Sequence, residues 1–92
     1  MFFRGDSSML VEYINEALRR AEYKMINDDE PFYGEIPVLE GVWSTGKTLE
    51  ECRKNLIDVL DGWIYIRLKK GLDIPKLGSF KISELKRLKV SA

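Results

Sequence analysis

The stretch from Thr48 to Gly71 constrains this chain more than any other. Thr48 and Glu51 have the spacing of a capping box, in which the threonine hydroxyl accepts the amide of Glu51 and the glutamate side chain reaches back. Beyond the box, Leu49, Cys52, Leu56, Val59, Leu60, Trp63 and Ile64 make one apolar face at helical spacing. Lys69 and Lys70 suit the negative end of the helix dipole, Gly71 suits a left-handed stop, and Pro75 follows. The pattern predicts one long helix over about 48–70. Gly62 is its interior weak point, costing about 1 kcal/mol against alanine.

The rest of the 92 residues must supply what that helix packs on. Leu10, Val11, Ile14, Ala17, Leu18 and Ala21 follow helical spacing and predict a first helix over about 8–21, capped by Ser7 or Ser8 after a loose start. Residues 22–27 alternate polar and apolar like a half-buried strand. Asn27 to Pro31 is a turn, and residues 32–38 form a second strand with Phe32, Gly34, Ile36 and Val38 on one face. Pro37 lacks a backbone donor and belongs at a strand end or on an edge. Glu40-Gly41 makes a short turn, residues 42–45 a third short strand, and Gly46-Lys47 the corner after it. A fourth short strand is expected around Phe80-Lys81-Ile82. The expected fold class is α+β, with a small antiparallel sheet of three or four strands, a long helix across it and a preceding helix. One domain spans 1–92, its core about 10–78, with 84–92 loosely ordered. A domain this small buries only about 60% of its unfolded surface and gains stability by self-association.

Residues 41–48, GVWSTGKT, match the phosphate-loop pattern G-x-x-x-x-G-K-[ST]. The context argues against nucleotide binding. A phosphate loop joins a buried parallel strand to a helix, whereas the preceding strand here is short, alternating and broken by Pro37. Glu50 and Glu51 put negative charge where phosphate would sit, and Thr48 already satisfies amides that the anion would need. The pattern reads better as turn glycines plus a capping threonine. Other chemistry is scarce. There is no histidine, the commonest general base and metal ligand. Cys52 lies on the apolar helix face and reads as core. Asp28, Asp29, Glu30 and Glu35 form the one dense acidic cluster, which reads as a solvated turn rather than a metal site. No catalytic residue, cofactor or metal is expected.

The single cysteine fits a reducing compartment, and neither a secretory signal nor an apolar run of about 20 residues is visible, so the expected location is cytoplasmic. Net charge is zero but uneven. Residues 1–61 carry 13 acids against 7 bases, and residues 62–92 carry 8 bases against 2 acids. Tyr33 and Trp43 fall on the strand face opposite Phe32, Ile36 and Val38, so both sheet faces carry apolar groups. One face packs on a helix. The other meets the second helix, a second subunit or a partner. The basic residues of 67–89 suit RNA, yet interleaved Leu72, Ile74, Leu77, Ile82, Leu85 and Leu88 argue that much of that segment packs.

The order of elements and the residues Tyr33-Gly34-Glu35-Ile36-Pro37, Leu39, Gly41-Val42-Trp43, Thr45-Gly46, Thr48-Leu49-Glu50-Glu51-Cys52 and Asn55 resemble the HicB-like antitoxin family over about residues 10–78. The family shows proline where Glu40 stands and often cysteine at Val42. The resemblance implies a partial ribonuclease-H-like fold and a non-catalytic module that neutralises a small basic ribonuclease toxin (HicA-like) by covering its RNA-binding and catalytic surface. Many members add a C-terminal DNA-binding domain. The residues left after the long helix are too few for one, so direct DNA binding and autorepression by this chain alone are not expected. Segment 28–51 has seven acids against one lysine and suits a basic partner. The expected partner surface is Asp28, Asp29, Glu30, Tyr33, Glu35 and Trp43, supported by the structural positions Gly34, Pro37, Gly41, Gly46, Thr48 and Glu51. A homodimer or tetramer is expected. The alternative is a stand-alone oligomeric domain without a toxin, binding RNA through its basic tail.

Overall fold

One arm of the capping box closes as the spacing requires, and it sets the start of the long helix. In the computed structural model, Thr48 is the extended N-cap and its hydroxyl accepts the Glu51 amide at 3.0 Å. The Glu51 carboxylate reaches one residue further back than the cap, accepting the Lys47 amide at 2.7 Å. The helix that follows, α2 (Leu49–Lys70), ends at Gly71 with φ +71°. There the amides of Gly71 and Leu72 return to the carbonyls of Leu68 and Arg67, which is a Schellman stop. The structure describes residues 2–78, with side chains from residue 10 onward. The expected strand at 80–82 and the tail over 84–92 lie outside the described residues.

The remaining described elements are α1 (Phe2–Arg19), β1 (Glu22–Met25), β2 (Phe32–Glu35) and β3 (Trp43–Gly46). The strands form one antiparallel sheet in the order β1-β2-β3. Register pairs Tyr23 with Gly34 and Gly34 with Ser44. The α+β class, the three-stranded antiparallel sheet and the long helix packed on it agree with the sequence reading.

Four details differ from it. α1 starts at Phe2, so Ser7 and Ser8 lie inside the helix and do not cap it. β2 stops at Glu35, and the chain then turns through 37–41, with Gly41 at φ +92°. That turn lifts Val38 out of line with Ile36 and buries Leu39 instead. On α2 only Cys52, Leu56, Leu60 and Ile64 are buried, and Trp63 is half-buried. Leu49 and Val59 are exposed, because the short sheet covers a row of i, i+4 residues and not the wider stripe.

Cys52 is buried beneath the sheet, whereas the main apolar cluster takes no residue from the three strands. Tyr13 and Ala17 from α1, Ile36, Leu39 and Val42 from the β2–β3 connection, Leu56, Leu60 and Ile64 from α2, and Leu77 form one buried cluster. Side-chain bonds tie the connections down. The Tyr13 hydroxyl donates to the Pro75 carbonyl, the Trp63 indole to the Glu40 carbonyl at 3.1 Å, and Arg67 to the Asp73 carbonyl at 2.9 Å while lying over the Trp63 ring. Burial pushes the Tyr13 phenol up to about 12. No helix among the described residues is long and apolar enough to cross a membrane.

Candidate docking face

Alternation along three strands divides the sheet into two unlike surfaces. The inner one meets α2 at very short range. A Cβ at Gly46 would lie 2.4 Å from the Cys52 amide nitrogen, and one at Gly34 would lie 2.7 Å from the Tyr23 ring and 3.2 Å from Cys52 Sγ. Ser44, also inner, donates to the Cys52 carbonyl at 2.8 Å. The small residues Gly34, Ser44 and Gly46 on this face let the helix approach around Cys52, while Tyr33 and Trp43 project to the other face and Phe32 stays on the inner one.

The outer face carries two cross-strand rows. One is Glu22, Glu35 and Trp43; the other is Lys24, Tyr33 and Thr45. The Tyr33 and Trp43 rings stack with centroids 6.0 Å apart and planes 19° apart. The Tyr33 hydroxyl donates to Glu35 at 3.0 Å, and its phenol is raised by burial first and by the Glu35 bond and charge second. Thr45 donates to the Glu30 carboxylate at 2.5 Å, and the Lys24 ammonium lies 5.3 Å from the Tyr33 ring centre. Glu22 stands directly opposite Glu35, a like-charge pair that destabilises the bare sheet. Trp43 is 54% exposed and also borders an open groove of about 420 Å³ that includes Glu35, Pro37 and Glu40.

The structure therefore brings together three of the expected partner residues, Tyr33, Glu35 and Trp43, and joins Glu30 to them through Thr45. Asp28 and Asp29 stay on the exposed β1–β2 turn, where Asp28 accepts the Glu30 amide at 3.5 Å. Sequence reasoning missed Glu22, Lys24 and Thr45. Strand alternation carried through the register would have placed all three on this face.

The phosphate-loop match has its structural answer here. The Lys47 amide is held by Glu51, and the Thr48 hydroxyl by the Glu51 amide, so the position of an anion at this helix start is filled by the chain's own carboxylate. Cys52 is fully buried, and the Ser44 hydroxyl is committed to the Cys52 carbonyl. Among the described residues no group of three His, Cys, Asp or Glu side chains could hold a metal ion.

Among the described residues these features define a small α+β domain without a catalytic constellation, its sheet covered by α2 on one side and uncovered on the other. The chain belongs to the UPF0150-like family, whose model matches residues 12–75. It is similar to the crystal structure of TTHA0281 from Thermus thermophilus, with 49% identity and a TM-score of 0.78 over 80% of this chain and 97% of that one. No curated protein matches the chain.

Proposed function

We propose that the chain is a non-catalytic protein-binding module, an antitoxin of HicB-like type with a partial ribonuclease-H-like fold. It would neutralise a small basic ribonuclease toxin, HicA-like, by covering its RNA-binding and catalytic surface. The observation that carries this reading is the outer sheet face: an exposed Trp43 stacked on a half-buried Tyr33 and edged by Glu22, Glu30 and Glu35. Exposed aromatics at the centre of a patch are the usual anchors of protein interfaces. The Glu22–Glu35 pair, unfavourable alone, is relieved when a cation lies between the two carboxylates. An RNA ligand fits this face poorly, because phosphates would meet those same acids.

The test is capture of the tagged full chain from its native lysate, with bound species identified by mass spectrometry. The expected result is a stoichiometric small basic protein containing a histidine, lost on Trp43→Ala and Glu35→Lys while the circular dichroism spectrum stays unchanged. Recovery of the bait alone, with the neighbouring genes expressed, overturns the reading.

A further inference from the structure

A second surface lies on α2, away from the open sheet face. Asn55, Val59, Gly62, Ile66 and Lys69 follow one another at spacings of 4, 3, 4 and 3 residues and so form a single seam along the helix. The seam lies about a third of a turn from the buried row of Cys52, Leu56, Leu60 and Ile64. Asn55 donates to the Thr45 carbonyl at 2.9 Å, which places the seam on the β3 side of the helix. Val59 is 36% exposed and Ile66 51% exposed.

Gly62, at the seam's midpoint, has no explanation within the described chain. Its φ is not positive, and a Cβ built on it meets nothing within 4 Å. Neither a turn nor a close internal contact requires glycine there, although glycine inside a helix costs about 1 kcal/mol against alanine. Close approach by another backbone is the remaining physical use for a missing side chain. The charges on α2 say which backbone. Residues 50–61 carry Glu50, Glu51, Asp58 and Asp61 against Arg53 and Lys54, and residues 62–70 carry Arg67, Lys69 and Lys70 with no acid. The helix is acidic before Gly62 and basic after it. A second α2 crossing antiparallel at Gly62 sets each acidic half against a basic half and opposes the two helix dipoles. A parallel pair would set like against like.

We propose that this seam is the self-association surface of the protein, an antiparallel α2–α2 contact centred on Gly62. Val59 of each copy packs on Ile66 of the other, and Asp58 faces the other copy's Lys69. The contact leaves both open sheet faces free, and it does not depend on the toxin reading.

Sedimentation equilibrium of the full chain between about 1 and about 100 µM tests it. The wild type is expected to dimerise. Ile66→Lys should weaken the dimer at least about tenfold. Gly62→Gln should weaken it similarly while raising the melting temperature of the monomer, since glutamine is the better helix former. That opposite movement separates a lost contact from a lost fold. Asp58→Lys and Lys69→Asp should each weaken the dimer, and the double variant should recover it. A wild-type monomer at about 100 µM overturns the proposal. So does a dimer indifferent to both Ile66→Lys and Gly62→Gln, or a charge swap that fails to recover association.

Discussion

The two faces of the sheet obey opposite rules although the same three strands make both. On the inner face Gly34, Ser44 and Gly46 are small, because α2 comes so near that a single added carbon at Gly46 would lie 2.4 Å from its backbone. On the outer face Tyr33 and Trp43 stack on each other, with Glu22, Lys24, Glu35 and Thr45 around them. Where α2 comes nearest, around Cys52, side-chain size is set by distance to the helix, and the larger Phe32, Tyr23 and Met25 occupy the rest of that face. Stability should reside on the inner face, whereas the outer face holds chemistry that folding does not use.

Breaking the inner face should produce the largest effect. Gly46→Ala puts its methyl against the Cys52 amide, which is backbone and cannot swing aside. Overpacking against a fixed group costs about 3 kcal/mol, a large share of the roughly 5–15 kcal/mol that holds a small domain together. Urea unfolding should show the midpoint falling sharply with an unchanged slope. A shift below about 1 kcal/mol would mean that α2 is less closely docked than its contacts imply.

A buried tyrosine tests the covered environment directly. Tyr13 is fully buried, and its phenol is pushed from 10.0 up to about 12 by burial alone. The unfolded phenol releases its proton near 10 and the folded one near 12, so the unfolded chain binds fewer protons between those values. The Tyr13 contribution is complete below pH about 10 and falls as pH rises towards 12, by at most about 1.4 kcal/mol per pH unit. Unfolding measured across that window should show a steeper alkaline loss in the wild type than in Tyr13→Phe. Equal slopes would show that the phenol titrates normally.

Much of this layout was legible in the sequence. Thr48, Glu51 and Gly71 act locally, so spacing alone located both ends of α2 to within a residue. The opposition of Tyr33 and Trp43 to Ile36 followed from alternation along single strands. What escaped depends on distance between elements. Val59 reads as core by helical spacing, yet the sheet is too narrow to reach it. Val38 reads as inward by strand alternation, yet Gly41 and the 37–41 turn end the strand first. Glu22 joins the candidate face only through its register opposite Glu35, and no local pattern encodes register. Gly46 was read as a corner, whereas its deciding property is the approach of Cys52.

Gly34 tests a milder form of inner-face crowding. Its added carbon would meet the Tyr23 ring at 2.7 Å, and that side chain is 37% exposed on the edge strand β1, so the ring can turn outward. Gly34→Ala should cost about 1 kcal/mol, well short of Gly46→Ala, because a movable neighbour absorbs the overlap. Equal losses at the two glycines would place the cost in the strand backbone rather than in the neighbour.

The smallest expected effect on stability is the most informative about the outer face. Trp43 is 54% exposed, and its main described ring contact is Tyr33. An aromatic pair contributes about 0.5–1.5 kcal/mol beyond area burial, with the low end expected where one ring faces water. Trp43→Ala should therefore shift the unfolding midpoint by about 0.5 kcal/mol while abolishing partner capture. If the substitution destabilised the fold as much as Gly46→Ala, Trp43 would be a structural residue and the two faces would not divide stability from binding. If it left both stability and capture untouched, the partner would dock elsewhere, and the stacked pair would not be its anchor.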